Sequence, residues 1–159
     1  MLPITSRHLI VWLALALGLG VPAPQSPTSR RATGSFDVTL KPLDAYATAE
    51  HPMLGRMSAD KQYHGDLEAA AKGEMLTGMT DVKNSAVYVA IERVTGTLHG
   101  KRGSFILHHT GVMSRGEQHL TIAVVPDSGT DQLVGLTGTM SIEIAPDGKH
   151  SYTFQYTLR

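Results

Sequence analysis

His150-Ser151-Tyr152-Thr153-Phe154-Gln155-Tyr156-Thr157-Leu158 ends the chain in strict alternation, with bulky residues at even positions and Ser, Thr or Gln at odd ones. A period of two is the repeat of a β-strand, whose successive side chains point to opposite faces, so this segment predicts a strand with one bulky face. Phe36, Val38 and Leu40 alternate with Ser35, Asp37 and Thr39 in the same way. Between these two segments, strands are read at about 53–64, 67–77, 87–99, 102–114, 117–125 and 132–144, separated by Gly, Pro, Asp and Asn. No stretch carries the 3.6-residue apolar period of a helix. The pattern predicts an all-β chain of eight strands.

The connections set the topology. Gly65-Asp66, Gly100-Lys101, Arg115-Gly116, Pro126-Asp127-Ser128-Gly129 and Pro146-Asp147-Gly148 have the residues that tight turns need. Successive strands should therefore pair as antiparallel neighbours. An open meander would leave two bare edges, whereas closing the sheet removes both, so a closed eight-stranded antiparallel barrel is favoured over a two-sheet sandwich. Gly73, Gly96, Gly111, Gly135 and Gly138 fit the sharp bending of strands in a small barrel. Two longer connections, Pro42 to Pro52 and Gly78 to Ala86, are read either as lids over a barrel mouth or as solvated connectors.

Ahead of the barrel, Arg7 and His8 precede an apolar run from Leu9 to Val21 that Pro22 ends. This is the order of a secretory signal, and the run is short for a membrane span, which needs roughly 20 apolar residues. Residues 1–23 are expected to be a signal peptide, 24–33 a flexible lead-in rich in Pro and Ser, and 34–159 the barrel domain. The expected location is periplasmic or secreted; the alternative is an uncleaved N-terminal membrane anchor.

Composition excludes several classes. Lys plus Arg number 14 and Asp plus Glu 14, so no global field draws the chain to nucleic acid. The absence of cysteine removes disulfides, thiolate catalysis and cysteine-ligated zinc. Eight histidines raise the question of a metal, but none has the His-x-His spacing that puts two imidazoles on one strand face, and adjacent His108 and His109 point to opposite faces. No metal and no cofactor are expected. The lone tryptophan, Trp12, lies in the signal segment, and no phosphate loop or nucleophile elbow is present.

Register identifies the candidate residues. If Gly100-Lys101 form a two-residue turn, Glu92 falls opposite His109, on a face that also carries Tyr88, Ala90, Val94 and Leu98. That face is expected to line the interior. A lone buried carboxylate is costly, whereas a neighbouring imidazole favours its charged form, so Glu92 and His109 are predicted to be partners inside the barrel. Such a pair is either a structural polar contact or an acid–base couple. In the first hairpin, turning at Gly65-Asp66 places Tyr63 opposite Glu68 and Met57 opposite Glu74; neither face is plainly apolar, and Glu74 and Tyr63 are secondary candidates for a polar pocket lining.

Several long strings resemble a bacterial family of unknown function, number thirty-two twenty-four in its series: Asp60-Lys61-Gln62-Tyr63-His64-Gly65-Asp66-Leu67-Glu68, Lys72-Gly73-Glu74-Met75-Leu76, the run Tyr88 to Gly100, Val125 to Thr130, and Gly148-Lys149-His150-Ser151-Tyr152. The resemblance covers about Ala32 to Leu158. It implies a closed antiparallel barrel similar to allene oxide cyclase and the dirigent proteins, and it implies no established activity. The chain departs from the family pattern in its signal-like N-terminus and in His108, where Gln is expected. Fold analogy of this kind raises the expectation of a small, apolar or amphipathic ligand. The leading expectation is thus a binding barrel with Tyr88, Glu92, His109, Glu74 and Tyr63 as polar contacts. The alternatives are a cofactor-independent isomerase or cyclase with Glu92 and His109 as acid and base, and a structural module whose barrel is filled by its own side chains. Relatives with such barrels are often oligomeric, so a homo-oligomer is a further expectation, with no interface identified.

Overall fold

The computed structural model describes residues 28–46 and 53–159. The expected signal segment lies outside the described residues, as do 47–52 of the first long connection. Eight antiparallel strands, β1 (Arg30–Leu43), β2 (Met53–Gly65), β3 (Leu67–Met79), β4 (Ala86–Leu98), β5 (Lys101–Ser114), β6 (Glu117–Val124), β7 (Thr137–Ile144) and β8 (His150–Thr157), pair in chain order. β1 also pairs with β8, which closes the sheet into a barrel.

The structure departs from the sequence pattern in three places. Arg30–Thr33, read as lead-in, belong to β1, because Arg30 to Phe36 is the partner that closes the barrel against Tyr156 to His150. The strand read at 132–144 is interrupted: Asp131–Leu133 form a 3-10 turn and β7 begins only at Thr137. Positive φ at Asp131 and Gly135 turns this segment inward, and Leu133 and Leu136 become fully buried plugs instead of strand residues. The turn between β4 and β5 is His99-Gly100, with both residues at positive φ (46° and 77°), the geometry of a two-residue hairpin turn.

The two ends of the barrel are built differently. At the end holding the β2–β3 and β4–β5 turns, the 125–136 connection folds across the opening. Thr130 bonds Ser104 in both directions, backbone to backbone at 2.9 Å and through its hydroxyl at 2.9 Å, and the Gln132 carbonyl accepts from Arg102 N. Above this plug lie stacked aromatic pairs, Phe105 with Phe154 (5.8 Å between centroids) and Phe154 with Tyr156 (5.3 Å). Tyr63 packs edge-on to Tyr152. Each such ring contributes roughly 1.5–3 kcal/mol by burial. At the opposite end, inward-facing Leu40, Met53, Met57, Met75, Met79 and Met113 are half-buried or exposed. The second long connection, between β3 and β4, is a compact loop in which the Thr80 hydroxyl bonds Ser85 O at 3.1 Å and Ser85 N bonds Val82 O.

The wall has one weak seam. Seven of the strand interfaces carry ladders of seven or more registered pairs, but β6 and β7 share a single one, Ala123 with Thr139. Toward the open end, inward-facing Leu120 on β6 and Ile144 on β7 are exposed.

Candidate functional site

A polar cluster sits on the inner wall where the packed half gives way to the open half. Glu92 on β4 is only 2% exposed and His109 on β5 only 5%. The turn at His99-Gly100 sets Glu92 opposite Leu107 and Ala90 opposite His109, two residues away from the register expected from a Gly100-Lys101 turn. A slip of two preserves which side chains face inward, and the two residues meet as diagonal neighbours, with His109 Nε2 3.1 Å from Glu92 Oε1. Gly73 on β3 makes room for the carboxylate: a Cβ there would lie 2.7 Å from Glu92 Cβ and clash with the backbone of Ile91.

β2 supplies the other two members. Tyr63 donates its hydroxyl to Glu92 Oε1 at 2.8 Å, and Lys61 Nζ lies 3.1 Å from Oε1 and 3.0 Å from Oε2. Lys61 also stands over the Phe36 ring at 5.2 Å and the Tyr63 ring at 5.8 Å, so its buried charge is met by a carboxylate and two π faces. Alternation along β2 puts Lys61 on the same face as Tyr63, but nothing local in the sequence marks it as a member of the cluster.

Glu74 is corrected. The β2–β3 hairpin turns about Asp66, so that Tyr63 pairs with Ala69 and Ser58 with Glu74, one residue away from the expected register. An odd slip inverts the faces of β3. Leu67, Ala69, Ala71 and Gly73 point inward, while Glu74 lies on the outer wall, ion-paired with Arg56 at 2.6 Å. It does not line the interior with Glu92.

The electrostatics follow from these contacts. Burial alone would raise the Glu92 carboxyl, but the hydrogen bond from His109 and the charge of Lys61 outweigh it and hold the group at about 2, fully ionised at neutral pH. Burial, and then the Glu92 charge beside it, push the Tyr63 hydroxyl far above the usual phenol range, so it remains a donor. Tyr88, half-buried and inward-facing one turn of the pleat above, is raised for the same two reasons in the same order. Its ring lies directly over Gly111 of β5, in space that a side chain there would occupy.

These contacts limit the chemistry. A carboxylate held near 2 is a poor proton acceptor at neutral pH, and its Oε1 already meets Tyr63, Lys61 and His109, so Glu92 acts as an anchor that fixes those three side chains. Because Glu92 only accepts, His109 Nε2 carries the proton in that bond, and in the neutral ring Nδ1 is an acceptor. Neither Nδ1 nor the Tyr88 hydroxyl has a partner among the described residues, and no buried side-chain nitrogen or oxygen there is left unpaired, so both border accessible space. Among the described residues no three His, Asp or Glu side chains converge. Glu92 is already paired with the Lys61 ammonium, which would repel a cation.

The chain is a small, closed, eight-stranded antiparallel β-barrel protein with a buried ionic cluster on its inner wall. Within that class the chain belongs to the DUF3224 family of proteins of unknown function, whose profile matches residues 32–156. It is similar to the crystal structure of a DUF3224 protein of unknown function from Shewanella oneidensis MR-1, with 49% sequence identity, a TM-score of 0.78, and coverage of 83% of this chain and 99% of that one. No curated protein matches the chain significantly.

Proposed function

We propose that this protein is a binding barrel for a small apolar or amphipathic molecule, which enters the open half and sets its polar end against His109 and Tyr88. The observation that carries this reading is the contrast between a plugged, aromatic-filled half and an open half lined by Met and Leu side chains that keep solvent exposure. Eight-stranded barrels are just wide enough to be filled by side chains or to hold one small ligand, and this one does the first at one end only. The weak β6–β7 seam gives a lateral way in beside Leu120 and Ile144. With Lys61 and Glu92 cancelling, the cluster is neutral when His109 is neutral, which suits a ligand hydroxyl or protonated acid donating to Nδ1. The likeness in strand number and closure to allene oxide cyclase and dirigent barrels, which hold reactive apolar molecules, supports the same reading by analogy of fold.

The cofactor-independent isomerase or cyclase is the weaker reading, because Glu92 is anchored and ionised. A barrel acting outside the cytoplasm also belongs to the proposal; it rests on Arg7, His8 and the apolar run to Val21. Cell fractionation with an intact mass of the mature N-terminus tests that part.

The experiment for the site is native mass spectrometry of the protein isolated from its own cells and after exposure to their organic-solvent extract. A retained adduct, diminished in His109→Ala and in Tyr88→Phe, is the expected result. A clean apo mass under both conditions overturns the proposal and leaves a structural barrel. Turnover of the bound molecule by the wild type but not by His109→Ala would instead favour the enzyme.

A further inference from the structure

The outer wall of β2–β5 carries a second feature that the interior does not explain. Solvated faces of antiparallel sheets are ordinarily polar. Near the closed end this wall obeys the rule, with Gln62, His64, Glu68, Thr95, Thr97 and Arg102 facing out. Toward the open end it does not: Leu54, Leu76, Val87, Val89, Ile91 and Val112 all face solvent, each between 44% and 62% exposed. They are cross-strand neighbours. Leu76 pairs with Val89, and Val87 with both Gly78 and Val112, so the six form one continuous strip. Three strip residues, Leu76, Val89 and Ile91, themselves line a groove of about 670 Å³ between the Arg56–Glu74 pair and His108, and Ile91 also borders a smaller one of about 380 Å³.

We infer that this outer strip is the interface through which two copies of the chain associate. The area supports it: the six side chains expose on the order of 500 Å² of apolar surface, at the upper end for a monomer. A stable interface buries roughly 800 Å² per partner, of which the strip would supply the apolar centre and the flanking polar residues the rim. The charge supports the choice of occupant. The strip itself carries no charged side chain and Arg56 beside it is neutralised by Glu74, while the cations Lys72 and Arg93 lie beyond Ile91 on the smaller groove, so the strip offers nothing to a polyanion or an anionic lipid surface. It also lacks the Trp and Tyr residues that membrane-seated surfaces carry among their apolar side chains. A second copy related by a two-fold axis matches on every count: apolar strip meets apolar strip, and each Arg56 can be shared with the Glu74 of the other copy. The groove provides relief into which Ile91 of the partner can pack.

Sedimentation velocity of the full chain tests this. The wild type is expected to sediment as a dimer at about 10–50 µM and to dissociate on dilution, as mass action requires. Ile91→Glu, and separately the milder Val89→Thr/Ile91→Thr pair, which keeps β-branched residues on the strands, should weaken association at least tenfold with unchanged far-ultraviolet circular dichroism. Ser141→Glu, exposed on the outer face of β7 and off the strip, should leave the dimer intact. A wild type that stays monomeric at these concentrations overturns the inference. So do folded Ile91 variants that still dimerise, and so does a monomer that co-sediments with phosphatidylcholine vesicles through this strip.

Discussion

The two halves of this barrel are made from the same eight strands and have opposite uses for their inward positions. Below the Lys61–Glu92–His109 cluster the inward apolar side chains are packed, and a loop supplies Leu133 and Leu136 as a stopper. Above it the inward residues are flexible methionines and leucines that remain partly wet. Met fills irregular space and yields to an incoming molecule, whereas stacked Phe and Tyr rings fix one arrangement. The lower half thus holds the fold, while inward side chains of the upper half keep partial contact with solvent. The buried ion cluster lies at the boundary, where its cost in desolvation is met by the rigid side and its remaining polar atoms face the open one.

Phe154→Ala should have the largest effect. The ring is fully buried between Phe105 and Tyr156, and its removal leaves a cavity that the closed barrel cannot collapse, at a cost of about 3–5 kcal/mol in urea unfolding. A cost below about 1 kcal/mol would mean that the lower half is not the packed core.

Next is the boundary itself. Glu92→Ala strands the Lys61 charge inside the barrel and should cost about 3 kcal/mol, as breaking a buried pair from one side does. Lys61→Met combined with Glu92→Leu removes both charges and should recover most of that loss. If the double variant is no better than Glu92→Ala, the cluster stabilises by hydrogen bonding with Tyr63 and His109 and not by charge pairing.

The same cluster sets a pH dependence. The folded Glu92 carboxyl, near 2, is depressed below its unfolded value of about 4.3, so the stability it contributes is fully present above about 4.3. That stability is lost as pH falls toward 2, because the unfolded state then binds the proton first. Urea midpoints of the wild type should fall across this window. In the Lys61→Met/Glu92→Leu variant that part of the fall should be missing. Equal slopes in both proteins would place the acid sensitivity elsewhere, for example at exposed Asp66, whose carboxyl is lowered chiefly by the Thr33 backbone N–H.

How far the sequence reveals this arrangement depends on the parity of each error. The strand alternation in 150–158 and 35–40 is set by burial of one face, and it yields eight strands and closure. In the β4–β5 hairpin the turn sits one residue earlier than Gly-Lys suggests, because His99 takes the left-handed conformation as readily as a non-glycine residue can. That displaces the register by two, and the interior pair survives. In the β2–β3 hairpin the displacement is one, and Glu74 moves to the outside. The corrective signal was present in β3, where Leu67, Ala69 and Ala71 alternate with Glu68 and Lys72. Small alanines make a weak apolar face beside long charged neighbours, and Lys61 on the facing strand adds a charge to it. Lys61 itself carries no local signal, since its partner is 31 residues away and only closure brings them together. The plug at Leu133 is illegible for a similar reason: an apolar Leu-Val-Gly-Leu run reads as strand until tertiary packing draws it inward.

The smallest effect on stability tests the open half most directly. Leu120 faces inward beside the weak β6–β7 seam, yet it is 38% exposed, so Leu120→Ala transfers little additional area to water and leaves no enclosed void. Its cost should fall below about 1 kcal/mol, several-fold less than Phe154→Ala. Ligand retention should respond in the opposite order. Leu120→Ala removes part of the wall at the lateral opening and should reduce the adduct seen in native mass spectra, while a destabilised but folded Phe154→Leu protein keeps it. If Leu120→Ala unfolds as readily as Phe154→Ala, the upper half is a packed core as well, and there is no free room for a ligand to use. If it is silent in both measurements, the ligand passes through the rim formed by Leu40, Met53 and Met79, and the seam is a gap in the hydrogen-bond ladder without a part in access.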